Sequence, residues 1–309
     1  MNENGNEPAE SGLARSDIHQ PVLLEEVVSW LSPVSGGIYV DGNLGLGGHT
    51  RAILEASNPD GRVIGFDWDS EALSLARANL ASYGERVIYV RRNFAELEEA
   101  LKEIHYAMVD GILLDLGLSS LQLDSSGRGF SFQGSEPLDM RMDTRRGETA
   151  ADLLNHCSEE ELADILYYYG EERQARRIAE FIVEERRKEK FSTTRQLVSI
   201  IEKAVPRRFR PKKIHVATRT FQGLRIAVNG ELDNLEKILT DGVQYIRPGG
   251  RFCVISFHSL EDRLVKRQFS SNNALRVLTP KPVIAGDAEK DMNPRSRSAK
   301  MRVAAVKEV

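Results

Sequence analysis

The chain has 309 residues, 41% hydrophobic and 28% charged, with a formal net charge of −4 at pH 7. That suits one large soluble domain, or one domain with an insertion, and it excludes a globally basic chain, so any polyanion must meet a local patch. Cys157 and Cys253 are too few for a disulfide framework or a metal cluster and fit a reducing compartment, and no apolar run approaches the roughly 18 residues that cross a bilayer.

Residues 1–18 are polar and lack the apolar core of a signal peptide, so they read as a disordered tail. A helix is expected over 24–31, stopped by Pro33. Ile38-Tyr39-Val40-Asp41 is a short apolar strand, followed by four glycines between Gly42 and Gly48 and a helix over 50–56. Val63-Ile64-Gly65-Phe66-Asp67 is a second strand, and Ser70 is expected to cap a helix running to about Ser82. A third strand covers 87–90, a helix 94–104 and a fourth strand 109–116. Apolar strands alternating with helices predict a parallel sheet covered on both faces.

The alternation stops at a long loop, 117–143, which its length marks as functional. Helical patterns then fill 150–154, 159–168, 172–188 and 193–204, the last capped near Ser192. The domain boundaries expected from this are 19–142 and 217–309 for the α/β part, with a helical insertion at 143–216 for substrate recognition. The third insertion helix carries dense charge of both signs and reads as a solvated face. Between Lys203 and Arg219 lie Arg207, Arg208, Arg210, Lys212 and Lys213 with no acid, an electrostatic footprint for phosphate. A helix over 231–246, a Pro248-Gly249-Gly250 turn and a fifth strand over 251–258 resume the α/β pattern. Segments 277–284 and 299–306 can pair as an antiparallel edge, joined by a polar, basic loop over 287–298.

The chemistry turns on the strand ends. Asp67 lies twenty positions beyond Gly47, where a carboxylate can accept both hydroxyls of an adenosine ribose. Nicotinamide folds and S-adenosylmethionine (SAM) folds share that arrangement. Thr50 occupies the third glycine slot of G-x-G-x-x-G, so the dinucleotide fingerprint fails, and there is no phosphate-binding G-x-x-x-x-G-K-[ST]. Acids at three strand ends, Asp41, Asp67 and Asp115, suit the cationic SAM. His258 ends strand five, where it can meet substrate phosphate, shuttle a proton or simply start a helix. His49 opens the first loop's helix with no second metal ligand at i+4, and no metal is expected.

Several stretches in order carry a resemblance. They include His19-Gln20-Pro21-Val22-Leu23, Gly47-Gly48-His49, Asp115-Leu116-Gly117 and Arg128-Gly129-Phe130-Ser131-Phe132. Pro137-Leu138-Asp139-Met140-Arg141-Met142-Asp143, Thr220-Phe221-Gln222, Leu224-Arg225-Ile226-Ala227-Val228-Asn229, Ser256-Phe257-His258-Ser259-Leu260-Glu261-Asp262 and Asn293-Pro294-Arg295 complete them. Together they resemble the RsmH (MraW) methyltransferases over most of the chain from His19 to Val306. The resemblance implies a class I SAM-dependent methyltransferase fold, Rossmann-like with a mostly parallel seven-stranded sheet and an inserted helical domain. It implies methylation of the N4 amine of a cytidine in the decoding centre of 16S rRNA, within the small ribosomal subunit and in the cytoplasm. It places SAM at Gly47, Gly48, His49, Asp67, Phe94, Asp115 and Gln122, with Asp115 and His258 as the catalytic candidates. The basic segment with Arg295, Arg297 and Lys300 would then hold RNA phosphates. The sequence departs from the family pattern at Leu46, Trp68 and Leu121. The rival readings are a nicotinamide-dependent oxidoreductase, a non-catalytic RNA-binding assembly factor, and a methyltransferase acting on DNA or protein.

Overall fold

The computed structural model describes residues 21–118 and 127–308. Its centre is a seven-stranded sheet in the order β3-β2-β1-β4-β5-β7-β6. The strands are β1 (Ile38–Asp41), β2 (Arg62–Phe66), β3 (Val87–Val90), β4 (Val109–Asp115), β5 (Ile246–Ser256), β6 (Leu275–Val277) and β7 (Lys300–Val306). The first five are parallel, and β7 runs antiparallel between β5 and β6. From β1 the chain moves outward through β2 to β3, then returns to place β4 on the other side of β1. The carboxyl ends of β1 and β4 therefore form the switch point, where an open α/β sheet binds ligands.

Alternate residues of each inner strand feed two cores. Val40, Ile64, Ile112 and Phe252 enter one, while Tyr39, Val63, Leu113 and Cys253 enter the other. A period of two with both faces apolar is what a doubly covered parallel sheet requires. A third core joins α5 (Ala150–His156), α6 (Glu159–Asp164), α7 (Ala175–Arg186) and α8 (Thr194–Ala204). It also takes Leu138 and Met140 from the long loop, and Phe221 and Leu224 from α9 (Thr218–Asn229).

Three local expectations change. Asp69, not Ser70, caps α3 (Ser70–Asn79), its carboxylate accepting from Glu71 N at 3.0 Å. Both residues are good caps, so adjacency decided the error. Pro248-Gly249-Gly250 does not precede β5 but lies within it, where the register against β4 shifts between Val109 and Gly111. Gly249 takes φ +80° there, the conformation that lets an extra loop of backbone sit inside a strand. The segment after β5 forms α11 (Ser259–Ser271), and 287–298 holds α12 (Asp287–Met292) and a single 3₁₀ turn rather than open loop.

Candidate functional site

The loop from β1 into α2 (Gly48–Ala56) is shaped by contacts around its backbone. Gly47 has φ +84°, and a side chain on Gly48 would sit 2.3 Å from the ring of Pro21. Any other residue at either position would displace the loop or Pro21. Asp41 is buried beneath, accepting from Thr50 Oγ1 at 2.7 Å and from Asn43 N at 3.2 Å. It fastens the loop to its helix and does not face the cleft, unlike the expectation of three cofactor-facing acids.

Asp67 does face it. Its carboxylate accepts from Gly45 N at 3.0 Å and Asp69 N at 2.9 Å, tying the ends of β1 and β2 together. Burial pushes its pKa up to about 7 despite those two amides. A cleft of about 330 Å³ runs from this carboxylate past Leu46, Gly48 and His49 to Asp115, Phe257 and His258.

Two imidazoles meet carboxylates in the cleft. His49 Nε2 lies 3.4 Å from Asp115 Oδ2, while Asp115 Oδ1 has no hydrogen-bond partner among the described residues. Burial disfavours the His49 cation, but Asp115, with Asp41 and Glu289, outweighs it and holds the pKa above the usual imidazole value. His258 precedes α11, with Nε2 3.0 Å from Glu261 Oε1. Glu261 Oε2 accepts from Phe257 N at 2.8 Å and His258 N at 3.3 Å. Beside them, Arg225 binds Glu231 through two hydrogen bonds of 2.8 Å. Glu231, His258 and Glu261 are near enough to surround a cation, but the Arg225 guanidinium already takes both Glu231 oxygens.

The long loop is closed from the same helix. Asn229 donates to Met140 O at 2.8 Å and accepts from Met142 N at 2.8 Å. Met140 takes φ +59°, and its N donates to Arg128 O at 2.8 Å. Arg128 in turn reaches Asp69 Oδ2 at 2.5 Å. The Arg128-to-Asp143 motifs thus stitch the loop to the cap of α3 and to α9, which brings Met142 to the cleft.

Sequence reasoning missed Asn43, Gln222, Arg225 and Phe257 as cleft residues, whereas Met142 belongs to the long loop expected to be functional. Gln222, Arg225 and Asn229 follow one face of α9 at helical spacing, and that polar stripe was the available signal. The expected residues do not all converge. Phe94 is 8% exposed and borders a small adjoining hollow with Trp68 and Asn93. Gln122 and Leu121 lie outside the described residues. Arg295 borders the cleft, but Arg207, Arg208, Arg210, Lys212 and Lys213 do not. Arg210 instead donates to Glu202 O and Val205 O, and Arg297 to Lys290 O. Lys300 lies 3.3 Å from Asp262. Cys253 is fully buried in β5, with its thiol pushed up to about 12, so it is no nucleophile.

A family model described as the MraW methylase family matches residues 16–307. The chain belongs to that family. It is 58% identical over 287 residues to the ribosomal RNA small subunit methyltransferase H of Desulfotalea psychrophila, covering 93% of this chain and 97% of that protein. Identity to the protein of the same name from Geotalea uraniireducens is 54% over 308 residues, covering 94% and 99%. Among solved structures, a methyltransferase homologue from Pyrococcus horikoshii is similar at 14% identity and a TM-score of 0.46, covering 98% of this chain and 73% of that one. This MraW family member is a class I SAM-dependent methyltransferase, and SAM is its cofactor. The nicotinamide and non-catalytic readings find no support in these matches. The cleft suits SAM: a glycine loop of close backbone, the part-buried carboxylates of Asp67 and Asp115 for a cation, and polar atoms on Asn43 and Asp115 that have no partner among the described residues. Among the described residues, no helix is long and apolar enough to cross a membrane.

Proposed function

We propose that the chain methylates the N4 amine of a cytidine in the decoding centre of 16S rRNA, in the cytoplasm, with the small ribosomal subunit as the substrate particle. The observation that carries this reading is Asp115 Oδ1, an acceptor at the end of β4 with no partner among the described residues. Bound SAM supplies an electrophilic methyl group. Asp115 accepts an N–H of the target amine and so turns the nitrogen lone pair toward that methyl. Alignment of this kind contributes up to about 7–11 kcal/mol as effective molarity, and a positioned proton acceptor about 10²–10⁴-fold.

Gly47, Gly48, His49, Asp67 and Phe94 hold the cofactor in this reading, as does Gln122 beyond the described residues. Asp67 takes the ribose hydroxyls, and His49 fixes Asp115 from behind. His258 and Arg225 line the substrate side, where an unstacked base can enter. The helical unit over 143–216 grips the RNA, the basic segment Arg207–Lys213 with Arg297 meets phosphates away from the cleft, and Arg295 meets one at its rim. The test is transfer of tritiated methyl from SAM to small subunits of a strain lacking this gene, followed by mapping of the modified nucleoside. N4-methylcytidine in the decoding centre is the expected product; label in another base or only in protein rejects the reading.

A further inference from the structure

Beside the cleft, and walled from it by Trp68, lies a second hollow of about 230 Å³. Five arginines line it, Arg91, Arg92, Arg141, Arg145 and Arg146, against two acids, Glu96 and Asp143. We propose that this hollow binds a phosphodiester of the RNA strand flanking the target nucleotide. The proposal rests on the RNA-methylating reading above.

The placement comes from the fold. Arg91 and Arg92 directly follow β3, and Trp68 follows β2 by one residue after Asp67, so the hollow opens on the same sheet edge as the cleft. Arg141 and Asp143 flank Met142, which faces the cleft itself. The loop that Asn229 and Arg128 hold in place therefore serves both cavities. A strand whose base enters the cleft passes this hollow with its backbone.

The charge is not neutralised from within. Arg145 is held in a two-bond pair by Asp143, and Arg141 by Asp139 just outside. Arg92 reaches Glu103 at 2.7 Å. Glu96 is shared, lying 3.4 Å from Arg92 and 3.5 Å from Arg146. Arg91 is exposed and makes no ion pair with a described residue. Arg146 is 72% exposed, so its guanidinium is available for an incoming anion. Arg92, Arg141 and Arg145 are fixed in place by their carboxylates, Arg146 makes only a long, exposed contact to the shared Glu96, and Arg91 stays open. Crowding guanidinium groups into a concave surface concentrates positive potential there, and guanidinium matches phosphate with paired donors.

The test is an Arg91→Ala/Arg146→Ala double variant of the full chain, read three ways. The KM for small subunits of a strain lacking the gene should rise about tenfold or more, with the SAM Kd unchanged. Binding of a single-stranded oligoribonucleotide should show a salt dependence shallower by about 0.7 for each phosphate that the variant no longer neutralises. An Arg62→Ala/Arg247→Ala variant, which removes equal charge at the amino end of the strands, should leave both readings unmoved. Unchanged KM and salt slope in the Arg91/Arg146 variant overturn the proposal. So does micromolar binding of inorganic phosphate that the variant loses while oligoribonucleotide binding is intact, since the hollow then serves a free anion. If the wild type transfers no methyl to RNA, the functional reading fails, and the oligoribonucleotide slope still decides the hollow.

Discussion

His49 meets Asp115 at 3.4 Å and His258 meets Glu261 at 3.0 Å, with both imidazoles lining one cleft beyond the neighbouring strands β4 and β5. Glu261 is 3% exposed and its second oxygen is taken by two backbone amides. Asp115 is 20% exposed, and its buried Oδ1 has no partner among the described residues. The same two functional groups are therefore used differently. Around Glu261 one oxygen accepts two backbone amides and the other lies against the His258 ring, which fixes the start of α11 and presents His258. Around Asp115 one acceptor is left over, and an unfilled acceptor at a ligand-binding edge is what a substrate N–H can use.

Removing the open acceptor should have the largest effect. Asp115→Ala is expected to slow tritium transfer from SAM to small subunits by about 10³-fold, in the range of a missing proton acceptor. Isothermal titration separates this from cofactor binding. Activity within a few-fold of wild type would move the acceptor role away from Asp115 and erase the contrast. Glu261→Gln attacks the other pair. Hydrogen bonds to a charged group contribute about 1.5–3 kcal/mol, so the unfolding free energy should fall by about 2 kcal/mol at pH 7. Burial raises the Glu261 pKa, but His258, the Phe257 amide and Arg225 outweigh it and hold the carboxyl below its ordinary value of 4.5. A depressed carboxyl stabilises the fold above its unfolded value and loses that contribution as pH falls through the folded one. Wild type and variant should converge in acid; equal stabilities at pH 7 would show that the closed pair fastens nothing.

The two pairs also show where sequence was readable. The glycine loop, the parallel strands and the strand-end acids are contiguous stretches, and short continuous apolar runs alternating with helices reveal their type and order. Helix α9 was not assigned because its face carries Gln222, Arg225 and Asn229, polar residues turned inward for the site, which blur the apolar stripe of Phe221 and Leu224. The role of Asp41 was misjudged because a strand-end carboxylate looks the same in sequence whether it faces a ligand or, as here, Thr50. The arginine hollow could not be seen as a unit, since its charges come from 91–92 and 141–146 and meet only in the fold. The reverse holds for the basic segment, compact in sequence yet absent from the lining of the cleft.

Asp67 sharpens the contrast because it has no imidazole beside it. Two backbone amides hold it, and burial still raises its pKa to about 7, whereas Glu261, with His258 and Arg225 nearby, is lowered. A cation offsets burial where amides alone do not. If ribose hydroxyls donate to Asp67, the ionised form is the binding form. The sign follows from the raised value: above about pH 7 the carboxylate is available, and below it the group is protonated and one acceptor oxygen becomes a donor. SAM affinity should therefore weaken as pH falls from about 8 to about 6, by at most about tenfold per unit below the pKa. Asp67→Asn should bind SAM more weakly at about pH 8 and should lose this part of the pH dependence. Subtracting the variant's profile removes titration of SAM's own amine, so the difference curve isolates Asp67. A flat difference curve would mean that Asp67 serves only to join Gly45 to Asp69, which would make it a closed carboxylate like Glu261 and leave Asp115 as the open one.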